Sequence, residues 1–118
     1  MALILHITQA AAWQAAQRAG SYPEPPLAPQ GFIHCSRPDQ VIRVANYVFH
    51  GQQDLVLLCI DTNLLNATLD PAGLEEGEED FPHIHGQINL DAVVEVVDFP
   101  PDEDGTFDLP KSLSKQES

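Results

Sequence analysis

Two histidines separated by one residue, His83 and His85, have the spacing that most directly indicates chemistry. Alternate side chains of a strand project to one side, so we expect both imidazoles on one face and Ile84 turned toward the core. Such a pair can chelate a metal or flank a ligand. A catalytic zinc site needs a third protein ligand, and the acidic stretch at residues 75–80 lies nearby in sequence. A metal-dependent hydrolase is therefore one open alternative, although no complete metal site is identifiable.

His34 is the second candidate, because it precedes a pattern typical of a helix start. Ser36 suits an N-cap, and residues 38–39 supply an early proline and an acid. Free N–H groups at a helix N-terminus attract anions, and Arg37 could complete such a seat. The two-residue period of a strand places Phe32, His34 and Ser36 on one side. The alternative is that Ser36 only caps the helix and that His34 packs as a core histidine.

His6 lies in the first apolar segment of the chain. It can join His34 only if its own strand lies beside the strand that carries His34, which a short connection through one helix favours. Tyr22 could line the same pocket. His50 precedes Gly51 at a predicted helix end, where a histidine commonly interacts with the helix dipole.

Two helices are predicted to position these residues. The first spans residues 9–19, with Thr8 as its cap and Gly20 as its C-terminal stop. The second begins at Ser36 and ends near Gly51. Its apolar residues recur at helical spacing, which predicts one buried stripe. That stripe consists of Val41, Val44, Ala45 and Val48.

Strands are predicted at residues 3–7, 31–35, 54–61 and 92–99. The third is a nearly continuous apolar run, so we expect a central strand covered on both faces. Prolines hold residues 22–30 as a surface loop, and Asp104-Gly105 predicts a turn. The fold class is therefore α+β, with one domain over residues 1–110 and a flexible tail at residues 111–118.

Composition narrows the possible partners. The chain has 118 residues, 43% of them hydrophobic, and a formal net charge of −13. That charge repels phosphate backbones at long range, so we expect no nucleic-acid partner, although local donors can still hold a small anion. The start of the chain lacks a signal-peptide pattern and no long apolar run occurs, so we expect a cytoplasmic protein without a membrane contact. Cys35 and Cys59 lie in apolar runs and are expected to be buried rather than joined as a disulfide.

The order of these features resembles a bacterial and plant family, domain of unknown function 952. The resemblance covers residues 3–108 and is most specific in two segments. These are Gly31-Phe32-Ile33-His34-Cys35-Ser36 and Phe81-Pro82-His83-Ile84-His85-Gly86. Further matching residues are Leu5-His6-Ile7-Thr8, Trp13, Ala16, Gly20-Ser21-Tyr22, Gln40, Val44-Ala45-Asn46, Gly51, Leu55-Val56-Leu57-Leu58 and Ile60-Asp61. The chain departs from the family by having His85 where Tyr is usual and Gln87 where Pro is usual.

The resemblance implies an ADP-ribosyltransferase-like fold, a split α+β arrangement with small sheets and two main helices. Active transferases of that fold hold NAD in a cleft between two sheets. They place a His or Arg on the first strand, a Tyr or Ser on a later strand and a glutamate near the end. His6 fits the first role, and Ser36 or His34 lies in the second region. The late glutamate has no identifiable counterpart in this sequence. The family also has a Trp/Tyr-Glu pair before the Phe-Pro-His segment, and Leu74-Glu75 is the nearest match to that pair.

The leading hypothesis is a histidine-lined cleft that binds a small phosphorylated or nucleotide-like ligand of the NAD or ADP-ribose type. The catalytic candidates are His6, His34 and His83. The ligand-binding candidates are Tyr22, Ser36, Arg37, Glu75 and His85. The metal-dependent hydrolase is one rival. The other is a noncatalytic interaction module in which the acidic stretch contacts a basic partner. The oligomeric state stays open.

Overall fold

The computed structural model describes residues 3–23, 31–70, 72–74 and 79–110. They form a small compact α+β domain of two helices and three small antiparallel sheets. The helices are α1 (Ala10–Ala19) and α2 (Val41–Val48). The strands are β1 (Leu3–Gln9), β2 (Ser21–Tyr22), β3 (Ile33–His34), β4 (Leu55–Asp61), β5 (Thr68–Leu69), β6 (His83–His85), β7 (Ile88–Asn89) and β8 (Val93–Asp98). Short 3-10 turns follow β4 at Thr62–Leu64 and β7 at Leu90–Ala92.

The largest sheet has the order β1-β4-β8 and carries the core on both faces. All seven residues of β4 are buried, which confirms the predicted central strand. One face of the sheet packs with Leu5 and Leu57 against α2. The other face packs with Ile4 and Leu58 against α1 and the smaller sheets. Because β1 is an edge strand, its outer side is free to meet other parts of the chain.

The two smaller sheets have the orders β2-β7 and β3-β6-β5. The second of these sheets meets the edge of the large sheet through a backbone bridge, in which Leu5 N–H donates to the Ser36 carbonyl and Ser36 N–H donates to the Leu5 carbonyl, both at 2.7 Å. This pair of bonds attaches the segment after β3 to the outer edge of β1. It therefore determines where His34 lies relative to the first strand.

The start of the first helix differs from the prediction. The helix begins at Ala10, and its N-cap, Gln9, makes no side-chain capping bond. The hydroxyl of Thr8 instead lies 2.9 Å from the Tyr22 hydroxyl in the protein interior, so the predicted Thr8 cap is wrong. The predicted stop is confirmed, since Gly20 adopts a left-handed conformation with φ 98° and its N–H donates to the Ala16 carbonyl.

The second helix begins five residues after its predicted start. Ser36 cannot cap it, because both of its backbone groups pair with Leu5 and hold it extended. The N–H groups of Gln40 and Val41 donate to the Arg37 carbonyl, and Arg37 N–H donates to the Gln40 side chain at 2.9 Å. The predicted anion seat beside Ser36 is therefore wrong, since the chain itself uses these donors.

The buried stripe of α2 is also narrower than predicted. Val41 and Ala45 are fully buried. Val44 is only half-buried and Val48 is 56% exposed. The helix is therefore apolar over a wider arc than the core covers.

Arg37 and Gln40 fasten the segment that leads into β6. The Arg37 side chain is 5% exposed, and its guanidinium donates to the Gly73 carbonyl at 2.6 Å and to the Asp80 carbonyl at 3.3 Å. It also forms a two-pronged ion pair with Asp39 at 2.9 and 3.2 Å. The Gln40 amide donates to the same Asp80 carbonyl at 2.8 Å. These bonds hold the chain just before His83 against α2.

Gly73 permits that segment to approach closely. Its φ of 81° lies in the left-handed region, and a Cβ placed there would lie 2.5 Å from the backbone carbon of Phe81. Both cysteines, Cys35 and Cys59, are buried as expected and unpaired. Burial raises the pKa of each thiol to about 12. Neither described helix is long and apolar enough to cross a membrane.

We predict that Arg37→Met lowers the free energy of unfolding by about 2–3 kcal/mol, because buried carbonyls lose charged donors. Urea denaturation followed by circular dichroism measures this loss. Arg18→Met is the matched control, since Arg18 lies exposed on α1 and its removal should change stability by at most about 0.5 kcal/mol. Equal stability of the two variants would contradict the structural role of Arg37.

Candidate functional site

A groove of about 870 Å³ runs between the outer edge of β1 and the exposed face of α2. This volume lies within the range of small-molecule sites, about 300–1,000 Å³. Most of its described lining is apolar or aromatic, with a few polar groups among them. The lining residues are Leu5, His6, Ile7, Tyr22, Pro23, Phe32, Ile33, His34, Cys35, Ser36, Arg43, Val44, Tyr47, Val48, Phe49 and Phe81.

His6 projects from β1 into this groove and connects two other elements. Its Nδ1 lies 2.7 Å from the His34 carbonyl oxygen, and its Nε2 lies 2.9 Å from the Tyr22 hydroxyl. The Tyr22 hydroxyl in turn lies 2.9 Å from Thr8 Oγ1. The predicted proximity of His6 to the strand that carries His34 is therefore confirmed. Only the backbone carbonyl of His34 takes part in the contact with His6, and the His34 imidazole does not.

The hydrogen bonds of His6 determine which of its ring nitrogens carry a proton. A carbonyl oxygen only accepts, so Nδ1 carries a proton and donates to His34. In the neutral imidazole, Nε2 then accepts the single phenolic proton of Tyr22, whereas in the charged imidazolium Nε2 donates and Tyr22 donates to Thr8. Burial lowers the pKa of His6, with the His34 charge adding to this effect against the opposing bond to the His34 carbonyl. The neutral form is therefore favoured at neutral pH.

Tyr22 is suited to this position because it is buried and stays protonated. Burial is the main reason that its pKa is raised above the ordinary tyrosine value. Its ring meets the His6 ring edge-on, with centroids 5.2 Å apart. Tyr22 thus holds the imidazole of His6 from one side while the His34 carbonyl holds it from another. Both ring nitrogens of His6 are therefore engaged within the protein, and the imidazole forms a fixed part of the groove wall.

His34 faces the groove and lies opposite His83 in the pairing of β3 with β6. The two imidazoles have centroids 4.8 Å apart. Partial burial lowers the pKa of His34, and the neighbouring charge of His83 lowers it further. Phe32 packs edge-on against both rings, at 4.9 Å from each. The predicted common side of Phe32 and His34 is therefore confirmed.

His83 and His85 share one side of β6, as predicted, while Ile84 is fully buried. Phe32 contacts both of them, its centroid lying 5.8 Å from that of His85. His85 Nε2 lies 3.8 Å from an Asp70 carboxylate oxygen. Neither histidine is among the described groove-lining residues. They form the outer flank of the site, next to His34.

The metal-dependent alternative needs a third ligand near His83 and His85. Within residues 3–23, 31–70, 72–74 and 79–110, no group of three His, Cys, Asp or Glu side chains is close enough to hold a metal ion. Glu75, a candidate ligand, lies outside the described residues. So does most of the acidic stretch on which the interaction-module alternative depends.

Two further candidates occupy structural positions. Ser36 lines the groove, but its backbone serves the bridge to Leu5. Arg37 is not a described lining residue, and its guanidinium is engaged with Asp39 and the Gly73 and Asp80 carbonyls. The cation in the groove is instead Arg43 on α2, accompanied by Tyr47 one turn later. Neither was a candidate from the sequence, where exposed residues of an amphipathic helix carry no signal of their own.

Comparison with known proteins places the chain in a family. Residues 7–96 match the family described as Protein of unknown function (DUF952). The chain belongs to this DUF952 family. The matched residues include the end of β1 from Ile7 and the strands that carry His34 and His83, whereas His6 lies one residue before the match. No curated protein matches the chain.

Solved structures of the Caulobacter crescentus protein CC0527 resemble this DUF952 chain over nearly its whole length. The crystal structure is 28% identical, covers 95% of this chain and 98% of the other, and has a TM-score of 0.77. A crystal structure of a double mutant gives 27% identity, the same coverage and a TM-score of 0.70. The solution NMR structure is 30% identical, covers 90% and 91%, and has a TM-score of 0.67.

The lowered pKa of His6 predicts a pH-dependent stability. The unfolded chain binds a proton near the ordinary histidine value of 6.5, whereas the folded chain resists it. The unfolded state therefore gains protons first, and stability falls as pH drops below about 6.5. His6 contributes at most about 1.4 kcal/mol per pH unit to this slope.

Denaturation of the wild type and His6→Asn between pH 5 and pH 8 tests this expectation. Asparagine can still donate to the His34 carbonyl but does not titrate. We expect the stability difference between the two proteins to shrink as pH falls from about 6.5, and to stay constant between about pH 7.5 and 8. A difference that is constant over the whole range would contradict a neutral, buried His6.

Proposed function

We propose that the groove binds a small phosphorylated or nucleotide-like ligand of the NAD or ADP-ribose type. The observation that carries this proposal is the convergence of His6, Tyr22 and His34 on one groove of about 870 Å³. Three separate strands contribute these residues. A largely apolar groove with a few convergent polar groups and histidines of shifted pKa is the usual form of a ligand site.

The chemistry of the lining suits such a ligand. Apolar and aromatic walls accommodate the flat rings of a nucleotide. The outer edge of β1 adds a backbone donor and acceptor, because the peptide groups of Ile7 face the same side as those of Leu5 and pair with no described strand. The His34 imidazole can exchange protons with ligand hydroxyls or phosphates, while the His6 ring, fixed on both nitrogens, shapes the wall beside it.

We also propose that the fold is ADP-ribosyltransferase-like. Support comes from the groove's position between β1 of the large sheet and β3 of a smaller one, together with the placement of a histidine on the first strand. The described groove lining contains no carboxylate. Classical transfer uses a glutamate to stabilise positive charge on the ribose. The proposal therefore concerns binding and assigns no transfer step.

A thermal-shift titration with NAD, ADP-ribose and ribose 5-phosphate tests the proposed binding. A ligand at 100 times its Kd stabilises the folded state by about 2.7 kcal/mol, which raises the Tm of a domain of this size by roughly 10 °C. We expect ADP-ribose or NAD to produce this rise. Unchanged melting curves at millimolar concentrations of all three would overturn the proposal.

A histidine variant ties the binding to the groove. We expect His34→Ala to weaken ligand binding by about tenfold, since an exposed imidazole that contacts a phosphate contributes roughly 1–2 kcal/mol. His50→Gln is the matched control, because His50 is exposed and is not a described lining residue. Equal affinities of the two variants would place the ligand elsewhere.

A further inference from the structure

The α2 helix presents a face to the groove of which the hydrophobic core uses only Val44, and that in part. Arg43, Val44, Tyr47 and Val48 all line the groove, whereas Val41 and Ala45 are buried against the large sheet. Tyr47 is 89% exposed. A tyrosine and a valine exposed next to each other on one helix stabilise the fold little. Both side chains line the groove, where a bound molecule could contact them.

Arg43 provides a cation with no neutralising partner among the residues that the structure describes. Within the described parts of the chain, its guanidinium forms no ion pair and no hydrogen bond. The chain has eighteen acidic and only five basic residues, so carboxylates are plentiful. Of the other arginines, Arg37 is engaged structurally and Arg18 lies on α1, outside the described groove lining. Arg43 is therefore the one basic side chain among the described lining residues.

Arg43 and Tyr47 are four residues apart on α2, so their side chains are neighbours on one helix face. Arginine matches phosphate oxygens with two parallel N–H donors. An accessible tyrosine ring stacks on nucleobases. Within the same groove, this pair offers a base and its adjoining phosphate two contacts at once. Because the chain as a whole is strongly acidic, the positive charge of Arg43 makes this part of the groove favourable for an anion.

We propose that Arg43 and Tyr47 form a subsite for a nucleoside diphosphate, with Arg43 on the phosphates and Tyr47 stacked on the base. The subsite rests on the proposed function and deepens it, because it assigns the nucleotide half of the ligand to α2. The remaining half then extends along the groove toward His6 and His34. Ligands with both a base and a phosphate bind more tightly than either part alone.

Calorimetric titrations with ADP-ribose, ADP, adenosine and ribose 5-phosphate test the subsite on the full chain. We expect Arg43→Gln to weaken ADP and ADP-ribose by about tenfold and to leave adenosine unchanged. We expect Tyr47→Ala to weaken adenosine and ADP by about tenfold and to leave ribose 5-phosphate unchanged. Arg18→Gln removes an equal charge from α1 and should alter none of the four affinities. Unchanged melting temperatures without ligand confirm that the variants fold.

The outcomes separate this subsite from the proposed function. Wild-type binding of ADP-ribose with equal affinity in Arg43→Gln and Arg18→Gln would overturn the subsite and leave the groove proposal in place. Binding of ADP-ribose that depends on Arg43 and Tyr47, but not on His34, would support the subsite and contradict the histidine end. No binding of any of the four compounds at millimolar concentration would overturn both.

Discussion

The two backbone hydrogen bonds between Leu5 and Ser36 are the contact on which the site depends. They join the edge of the large sheet to the segment that follows β3, at 2.7 Å in each direction. Through this bridge, the His34 carbonyl reaches the imidazole of His6. The histidine of the first strand and the histidine pair of β3 and β6 belong to separate sheets, and this bridge brings them side by side. The groove exists because the outer edge of β1 forms backbone hydrogen bonds at Leu5, whereas the backbone groups of Ile7 on the same edge pair with no described strand.

A second set of contacts holds the segment that leads into β6, the strand that carries His83. Arg37 and Gln40 bind the Asp80 carbonyl from the start of α2, and Cys35 N–H donates to the Pro82 carbonyl at 2.9 Å. These bonds place His83 opposite His34. Arg37 therefore has a structural role. The polar groups that face the groove are mainly imidazoles, a phenol and the exposed Arg43. Burial lowers the pKa of His6 and favours its neutral form, so that its ring adds no fixed charge to the groove.

Much of the framework follows from local sequence pattern. The continuous apolar run of β4 predicts a strand covered on both faces, Gly20 predicts the end of α1, and the alternation of residues 83–85 predicts two histidines on one side. The start of α2 could not be predicted in this way. Ser36 has good N-cap chemistry, but its backbone pairs with Leu5, a residue 31 positions earlier. A long-range bridge of this kind overrides the local preference.

The site itself was predictable only in part. Resemblance and residue type indicated His6, His34 and Tyr22, but β2 and β3 have two residues each, too few for a hydrophobic period to define them. Arg43 and Tyr47 escaped prediction for a different reason. Val44 and Val48 complete an apparent core stripe, and only the packing shows that Val44 is partly buried at the edge of the core and Val48 is exposed. The excess apolar surface of α2 belongs to the groove.

A two-dimensional 1H–15N NMR titration with ADP-ribose tests the central claim, that one groove along β1 and α2 binds a nucleotide-like ligand. Backbone amides report the place of binding without any variant. The account predicts that the largest shift changes fall on Ile7, His34 and Val44. Changes confined to β8 on the far edge of the large sheet, or no changes at millimolar ligand, would contradict it.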